Sequence, residues 1–302
     1  MTHDYDSTKP DEVNVVLADS NGTRVREVRV WLPGSIRVDI DDVVVADDAG
    51  TLLASGYAVA SERGIVYFIA RVDANGAVTD VIKTNPFVPN CVCPAPDGTV
   101  WALGQELGKS ELHEDYMMLR QYAFGTGLVA QYLPRNSFRS DVSPGAVVAS
   151  AESLRGFGQA SYLRCAKDRV VVYVNLTDEL AEIDSASHAV TRYSVDMSGL
   201  SGDKVKGLAL SDDGRIFAGL SEGWGANPGG LTGLYELRAD QTRRRAHWVP
   251  VEGTVTTIGE ASRIPAGTFV RLLGHEGDNL IVERADMGLS SVRLVPVGAT
   301  AH

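Results

Sequence analysis

Cysteine is scarce in this chain: three among 302 residues, at Cys91, Cys93 and Cys165. So small and odd a count argues against a disulfide framework. Cys91 and Cys93 lie two apart on a strand-like run, which points both to one face. No second Cys or His pair at ligand spacing completes a metal site, so the three are expected to be buried thiols behaving as small apolar side chains. Cations are also in deficit, 28 Lys and Arg against 39 Asp and Glu, for a formal net charge of −11. A phosphate-binding surface needs clustered Lys and Arg. The densest cluster, Arg243-Arg244-Arg245, reads as the solvated edge of a hairpin, so nucleic acid is not an expected partner. A membrane is not expected either, because no apolar run approaches the ~20 residues that span a bilayer. The segment Met1–Pro10 has neither the basic start nor the apolar stretch of a secretion signal and reads as a polar arm. The compartment stays open between cytoplasm and export with the leader absent from this chain.

Helical periodicity is missing too, and 31 glycines and many turn dipeptides interrupt every candidate helix. What recurs instead is a hairpin. Ala95-Pro96-Asp97-Gly98-Thr99-Val100-Trp101-Ala102 is echoed by Ser211-Asp212-Asp213-Gly214-Arg215-Ile216-Phe217-Ala218. Looser echoes begin at Ala46, Ala166 and Gly274. Asp-Gly supplies the positive-φ turn that folds one twisted strand back on another, and the apolar run after it is the second strand. A second hairpin type alternates with the first, in the segments 15–25, 68–78, 119–129, 180–190 and 234–240. With 44% hydrophobic and 22% charged residues, the chain can bury a sizeable core.

Naming the first hairpin a–b and the second c–d, the order is c–d, four a–b/c–d units, then a lone a–b. Four-stranded units repeating in this way are the blades of a β-propeller. The reading is all-β, with about five four-stranded blades and six as the alternative count. The N-terminal c–d pair is expected to close the C-terminal blade, hiding strand edges. The apolar run Val292–Val297 is a further candidate strand of that blade. Inserts around 134–160 and 251–267 are where a sixth blade could be concealed. Residues 1–11 are expected as the arm, 12–297 as one propeller domain and 298–302 as a tail.

The stretch Val205-Lys206-Gly207-Leu208-Ala209-Leu210-Ser211-Asp212-Asp213-Gly214 resembles the blade start of NHL-type and gluconolactonase/regucalcin-type propellers, and Cys93–Ala102 is similar to it. The likeness is to bacterial propellers of that broad type, of uncharacterised function. For the lactonase branch the resemblance implies a divalent metal in the central channel, held by oxygen ligands that include an Asn just before the Gly of such a blade start. Here that position is Lys206, a cation that cannot ligate metal when charged. The Glu implied at an early blade start has no clear match; Asp41-Asp42 precede Val43-Val44-Val45 in a different context. These departures weigh against lactonase activity, and no cofactor is identified.

Loops carry function more often than the scaffold beneath them. Here the long connections, b–c and d to the next a, share one face of the propeller. The loop 105–115 carries Glu106, His113 and Asp115, the catalytic candidates, since a His beside carboxylates can bind metal or move protons. The loop 220–230 sets Trp224 among glycines with Glu222 and Asn227, an arrangement that could stack on a sugar ring or a peptide. In the insert 134–160, Arg139 and Arg155 are ligand-binding candidates. Gly-x-Ser-x-Gly, HExxH, EF-hand, P-loop and dinucleotide patterns are all missing. Asn21-Gly22-Thr23 and Asn175-Leu176-Thr177 match the glycosylation pattern at turns. The expectation favours a monomeric, non-catalytic scaffold that binds a small molecule, glycan or protein through its long-loop face. The alternative is a metal-dependent, lactonase-like hydrolase or carbohydrate-active enzyme with its site at the central channel.

Overall fold

A computed structural model describes residues 12–18, 23–47, 49–60, 64–107, 116–138, 161–175, 177–200, 203–222, 233–251, 253–257, 260–263, 269–276, 279–284 and 289–294. The chain divides into two compact units, residues 1–17 with 24–167 and residues 18–23 with 168–302. It is all-β, and its repeated four-stranded antiparallel sheets are the blades of a β-propeller.

In the first unit β1 (Val15–Ala18) pairs with β2 (Arg24–Val28). A four-stranded meander follows, made of β3 (Ser35–Val45), β4 (Leu52–Ala60), β5 (Gly64–Val72) and β6 (Val78–Lys83). The next is β7 (Phe87–Pro94), β8 (Val100–Glu106), β9 (Met117–Ala123) and β10 (Gly127–Pro134). Leu53, Ile69 and Ile82 from the first meander pack with Phe87, Val92, Val100 and Tyr122 of the second in one buried cluster. Each large side chain buried there is worth up to about 1.5–3 kcal/mol. A single 3-10 turn at Arg135–Ser137 follows β10, and β11 (Ser161–Cys165) completes this unit.

The second unit contains β12 (Arg169–Val174), β13 (Glu179–Asp184), β14 (Val190–Asp196), β15 (Asp203–Leu210), β16 (Ile216–Glu222), β17 (Gly233–Asp240) and β18 (Arg245–Pro250). These run β12-β13-β14-β18-β17-β16-β15 across one sheet. The join is a short parallel pairing of outer strands, Ser194 with Arg245 through Asp196 with His247. It covers two edges that would otherwise present unpaired backbone groups. The last sheet contains β19 (Gly253–Thr257), β20 (Glu260–Arg263), β21 (Phe269–Glu276), β22 (Asn279–Arg284) and β23 (Leu289–Leu294), in the order β20-β19-β23-β22-β21.

Aspartates shape the turns. The Asp97 carboxylate accepts the Thr99 amide at 2.9 Å and its hydroxyl at 2.6 Å, while Gly98 takes φ 81°. Asp47, Asp73, Asp184 and Asp240 accept amides two to four residues on in the same way. An Asx turn of this kind satisfies amides that a reversing chain would leave bare.

Two expectations need correction. The N-terminal pair β1–β2 forms a sheet of its own, and the C-terminal sheet gains its outer strands from β19 and β20 instead. The insert at 251–267 therefore supplies strands to the last blade rather than a further one. The run beginning at Val292 does fall on a strand of that blade, within β23. Second, Cys93 and Cys165 are joined in a disulfide that spans 72 residues, leaving Cys91 free. Local spacing could not show this, because the bond ties first strands of successive a–b hairpins, β7 and β11. The Asn175 match to the glycosylation pattern carries no acceptor, because the residue is buried and its amide group bridges both backbone groups of Val205 at 3.0 Å.

Candidate functional site

The a–b turns begin at Ala46, Ala95 and Ser211, whose amides close onto Thr51, Thr99 and Arg215. The same short step back from each reaches Asp41, Asn90 and Lys206. At all three positions the first strand bulges. The pairing of β3 with β4 skips Asp41 between Ile40 and Asp42, and that of β7 with β8 skips Asn90 between Pro89 and Cys91. In β15 the skip falls between Val205 and Leu208, over Lys206 and Gly207. A bulge leaves one residue unpaired and re-aims its side chain. The partner strand accommodates it with glycine: a Cβ at Gly56 would stand 2.0 Å from the Asp39 carbonyl oxygen, and one at Gly104 would stand 1.9 Å from that of Val88. The bulge is thus a repeated structural device with a different side chain each time.

In the first unit the bulged strands lie side by side, and the Val92 amide of β7 donates to the Asp42 carboxylate of β3 at 2.9 Å. Around Asp41 the other polar groups are committed. Arg37 grips the largely buried Asp39 with two hydrogen bonds, 2.8 and 3.0 Å, the bidentate form of a charge-assisted pair. Burial, then a hydrogen bond to Asp39, raises the Tyr57 hydroxyl above its usual range. Asp41 keeps an exposed edge, yet protein crowds its carboxyl. Burial first, then the charges of Asp39 and Asp42, push it up to about 7. It therefore exchanges its proton near neutrality. Asn90 brings an amide Nδ2 that is buried without a hydrogen-bond partner among the described residues. Cys91 is inert by contrast, its thiol pushed up to about 12 by burial and then by Asp42. Its sulfur sits 3.8 Å from the Ser161 carbonyl oxygen, on the face that also carries Cys93 toward β11. Among the described residues no three His, Cys, Asp or Glu side chains are grouped as a metal would need.

Of the residues singled out in the sequence, Glu106 ends β8 in an ion pair with Arg120. The Arg120 guanidinium also lies 4.2 Å over the Phe87 ring, so Glu106 holds a packed cation in place. His113, Asp115, Arg139, Arg155, Trp224 and Asn227 lie outside the described residues. Glu222 is the last residue of β16, its backbone paired with Asp203. Asp41 and Asn90 were missed as a pair. The signal that could have found them is their constant offset from the a–b turn, which also fixes Lys206.

No protein-family model matches this chain, and no curated protein matches it. Solved structures do, at low identity. A Bacteroides caccae protein of unknown function is 12% identical, over 91% of this chain and 86% of its own, with a TM-score of 0.43. A Bacteroides uniformis protein described as a "putative 6-phosphogluconolactonase" is 11% identical, over 94% of this chain and 88% of its own, at 0.42. A PQQ-bound aldose sugar dehydrogenase from Streptomyces coelicolor is 12% identical, over 96% and 98%, at 0.36. Every one of these scores is below 0.5, so the fold assignment rests on the sheets themselves.

Proposed function

We propose that this propeller is a non-catalytic binding module for a polar, hydroxyl-bearing small molecule or glycan, with Asp41 and Asn90 among its contacts. What supports the reading is that two adjacent first strands bulge at the same offset, β3 presenting an accessible carboxyl raised to about 7 and β7 a buried amide Nδ2 without a hydrogen-bond partner among the described residues. A protonated carboxyl donates and accepts, and an amide does the same, which suits hydroxyl groups that also do both. Leaving a buried donor unmade costs about 1–3 kcal/mol, so a ligand that satisfies Asn90 recovers part of that. The long connections would add contacts from Trp224, Asn227, Glu222, Arg139 and Arg155.

The test is a thermal-shift screen of neutral monosaccharides and oligosaccharides, since a ligand of the folded state raises apparent stability. The reading expects a stabilising sugar whose effect is lost in Asn90→Ala and weakened in Trp224→Ala. A screen with no stabilising sugar would count against it.

The same Asp41 favours a second reading, a hydrolase of the lactonase-like or carbohydrate-active kind. A carboxyl poised near neutrality suits general acid–base work. Hydrolysis of a sugar lactone that disappears in Asp41→Asn, with sugar binding retained, would select this reading over the first.

A further inference from the structure

The second unit holds a cavity of about 330 Å³ between the β12–β14 strands and the β17–β18 turn. Its acids and bases are unequally engaged. Glu182 is engaged on both oxygens, one accepting from Arg169 at 2.7 Å and the other from the Tyr193 hydroxyl at 3.1 Å. Arg169 spends its second Nη on the Gly214 carbonyl. Asp184 accepts three hydrogen bonds from Ala186 and Ser187 in its own turn, which hold its carboxyl below the usual range. These groups make a preformed wall held mostly by bonds within the protein, with Asp184 Oδ2 left as an acceptor without a hydrogen bond among the described residues.

Two wall residues differ. Asp168 and Arg244 are solvent-exposed, and neither side chain has a hydrogen-bond or ion-pair partner among the described residues. The adjacent Arg243 is paired, 3.7 Å from Asp240. Arg244 is also held in the left-handed region, at φ 53°. The matching position of the Asp184–Ala189 turn is His188, at φ 58°, so this turn type places a non-glycine residue there twice. The Arg244 backbone is pinned, because its carbonyl accepts the Ser194 amide at 3.1 Å. A long cation and an exposed carboxylate, Arg244 and Asp168, thus line one cavity, each without a side-chain partner among the described residues.

We infer that this cavity binds a small zwitterion of amino-acid size, its carboxylate on Arg244 and its ammonium on Asp168. Thr191 and Gln241, which also line the cavity, offer hydrogen bonds to the remainder of the ligand. The volume lies at the lower end of small-molecule sites, which suits about ten non-hydrogen atoms. The site is independent of Asp41 and Asn90 and stands whether or not the first unit binds sugar.

The test uses the full chain with L-glutamine as the probe, and acetate and methylammonium as single-charge controls, read by calorimetry and thermal shift. L-Glutamine is expected to bind at least tenfold more tightly than either control. Arg244→Asn, which tolerates the left-handed turn, should weaken L-glutamine at least tenfold while leaving the melting temperature within a few degrees. Arg244→Gly should do the same with the melting temperature held or raised, so a folding failure in one variant is covered by the other. Asp168→Asn should bring L-glutamine down to the level of acetate. No binding of L-glutamine at 50 mM, the order of concentration at which a weak site still fills, would overturn the inference. So would equal binding of acetate and L-glutamine, or Arg244 variants that bind as the parent does.

Discussion

The first strands β3 and β15 share one irregularity and carry opposite charges. Each bulges at the same offset from its a–b turn, yet β3 presents Asp41 there and β15 presents Lys206. Asp41 lies among Asp39, Asp42 and the buried surface of its own unit, so its carboxyl is raised to about 7. The lesson is that the repeat fixes a position, while the neighbours of that position decide its chemistry. Glycines show the same division. Gly56 and Gly104 make room for the bulge opposite them, whereas Gly207 lies inside its bulge at φ 108°, where a Cβ would be 1.8 Å from the Leu272 carbonyl oxygen.

The largest effect is expected at the covalent tie beside the β3 bulge, in the first unit. The Cys93–Cys165 bond joins β7 to β11, and closing a 72-residue loop is worth about 4 kcal/mol in the loop-entropy account. Chemical denaturation of Cys93→Ser/Cys165→Ser should show a loss of that order; an unchanged midpoint would mean the bond only decorates an already fixed contact. Next in size is Gly207→Ala, which forces a methyl into the Leu272 carbonyl in a left-handed backbone and should cost roughly 2–4 kcal/mol. Gly56→Ala should cost a similar amount through the Asp39 carbonyl, and a mild effect at either would show that the bulge can relax.

Asp41→Asn is smaller and depends on pH. A carboxyl whose folded pKa is raised favours folding most below its unfolded value near 4, and that contribution is lost as pH rises through about 7. The parent should therefore lose stability between pH 4 and 7 relative to Asp41→Asn. The difference is on the order of 1 kcal/mol after solvent screening at this accessible group. Urea midpoints across that range check it, and parallel pH profiles would remove the special status of Asp41. Lys206→Asn should be the mildest, within about 0.5 kcal/mol at every pH, as for an ordinary surface change.

Much of the architecture was readable from Asp, Gly and Asn at turns. Both hairpin types fall where those residues placed them, because turn chemistry is local and a positive φ has few sequence solutions. What the turns could not reveal was pairing between distant segments. β19–β20 joins the last sheet through β23, and no pattern within 251–267 names that partner. The disulfide was hidden for the same reason, with Cys93 and Cys165 far apart in sequence. The site was less legible. Asp41 reads as one of several acids until the bulge register aligns it with Asn90 and Lys206, and Asn90 reads as an unremarkable polar residue. Arg244 was read with its neighbours as a solvated triplet, and only its dihedral and its lack of a side-chain partner among the described residues set it apart from Arg243.

Asp41 is the carboxyl that changes charge at neutral pH, and a carbon-13 NMR titration of it measures that directly. The fold described here predicts a midpoint near 7 that moves down when Asp39 is replaced by Asn. A midpoint near 4, unmoved by that replacement, would show that β3 carries an ordinary surface acid and that the bulge creates no special chemistry.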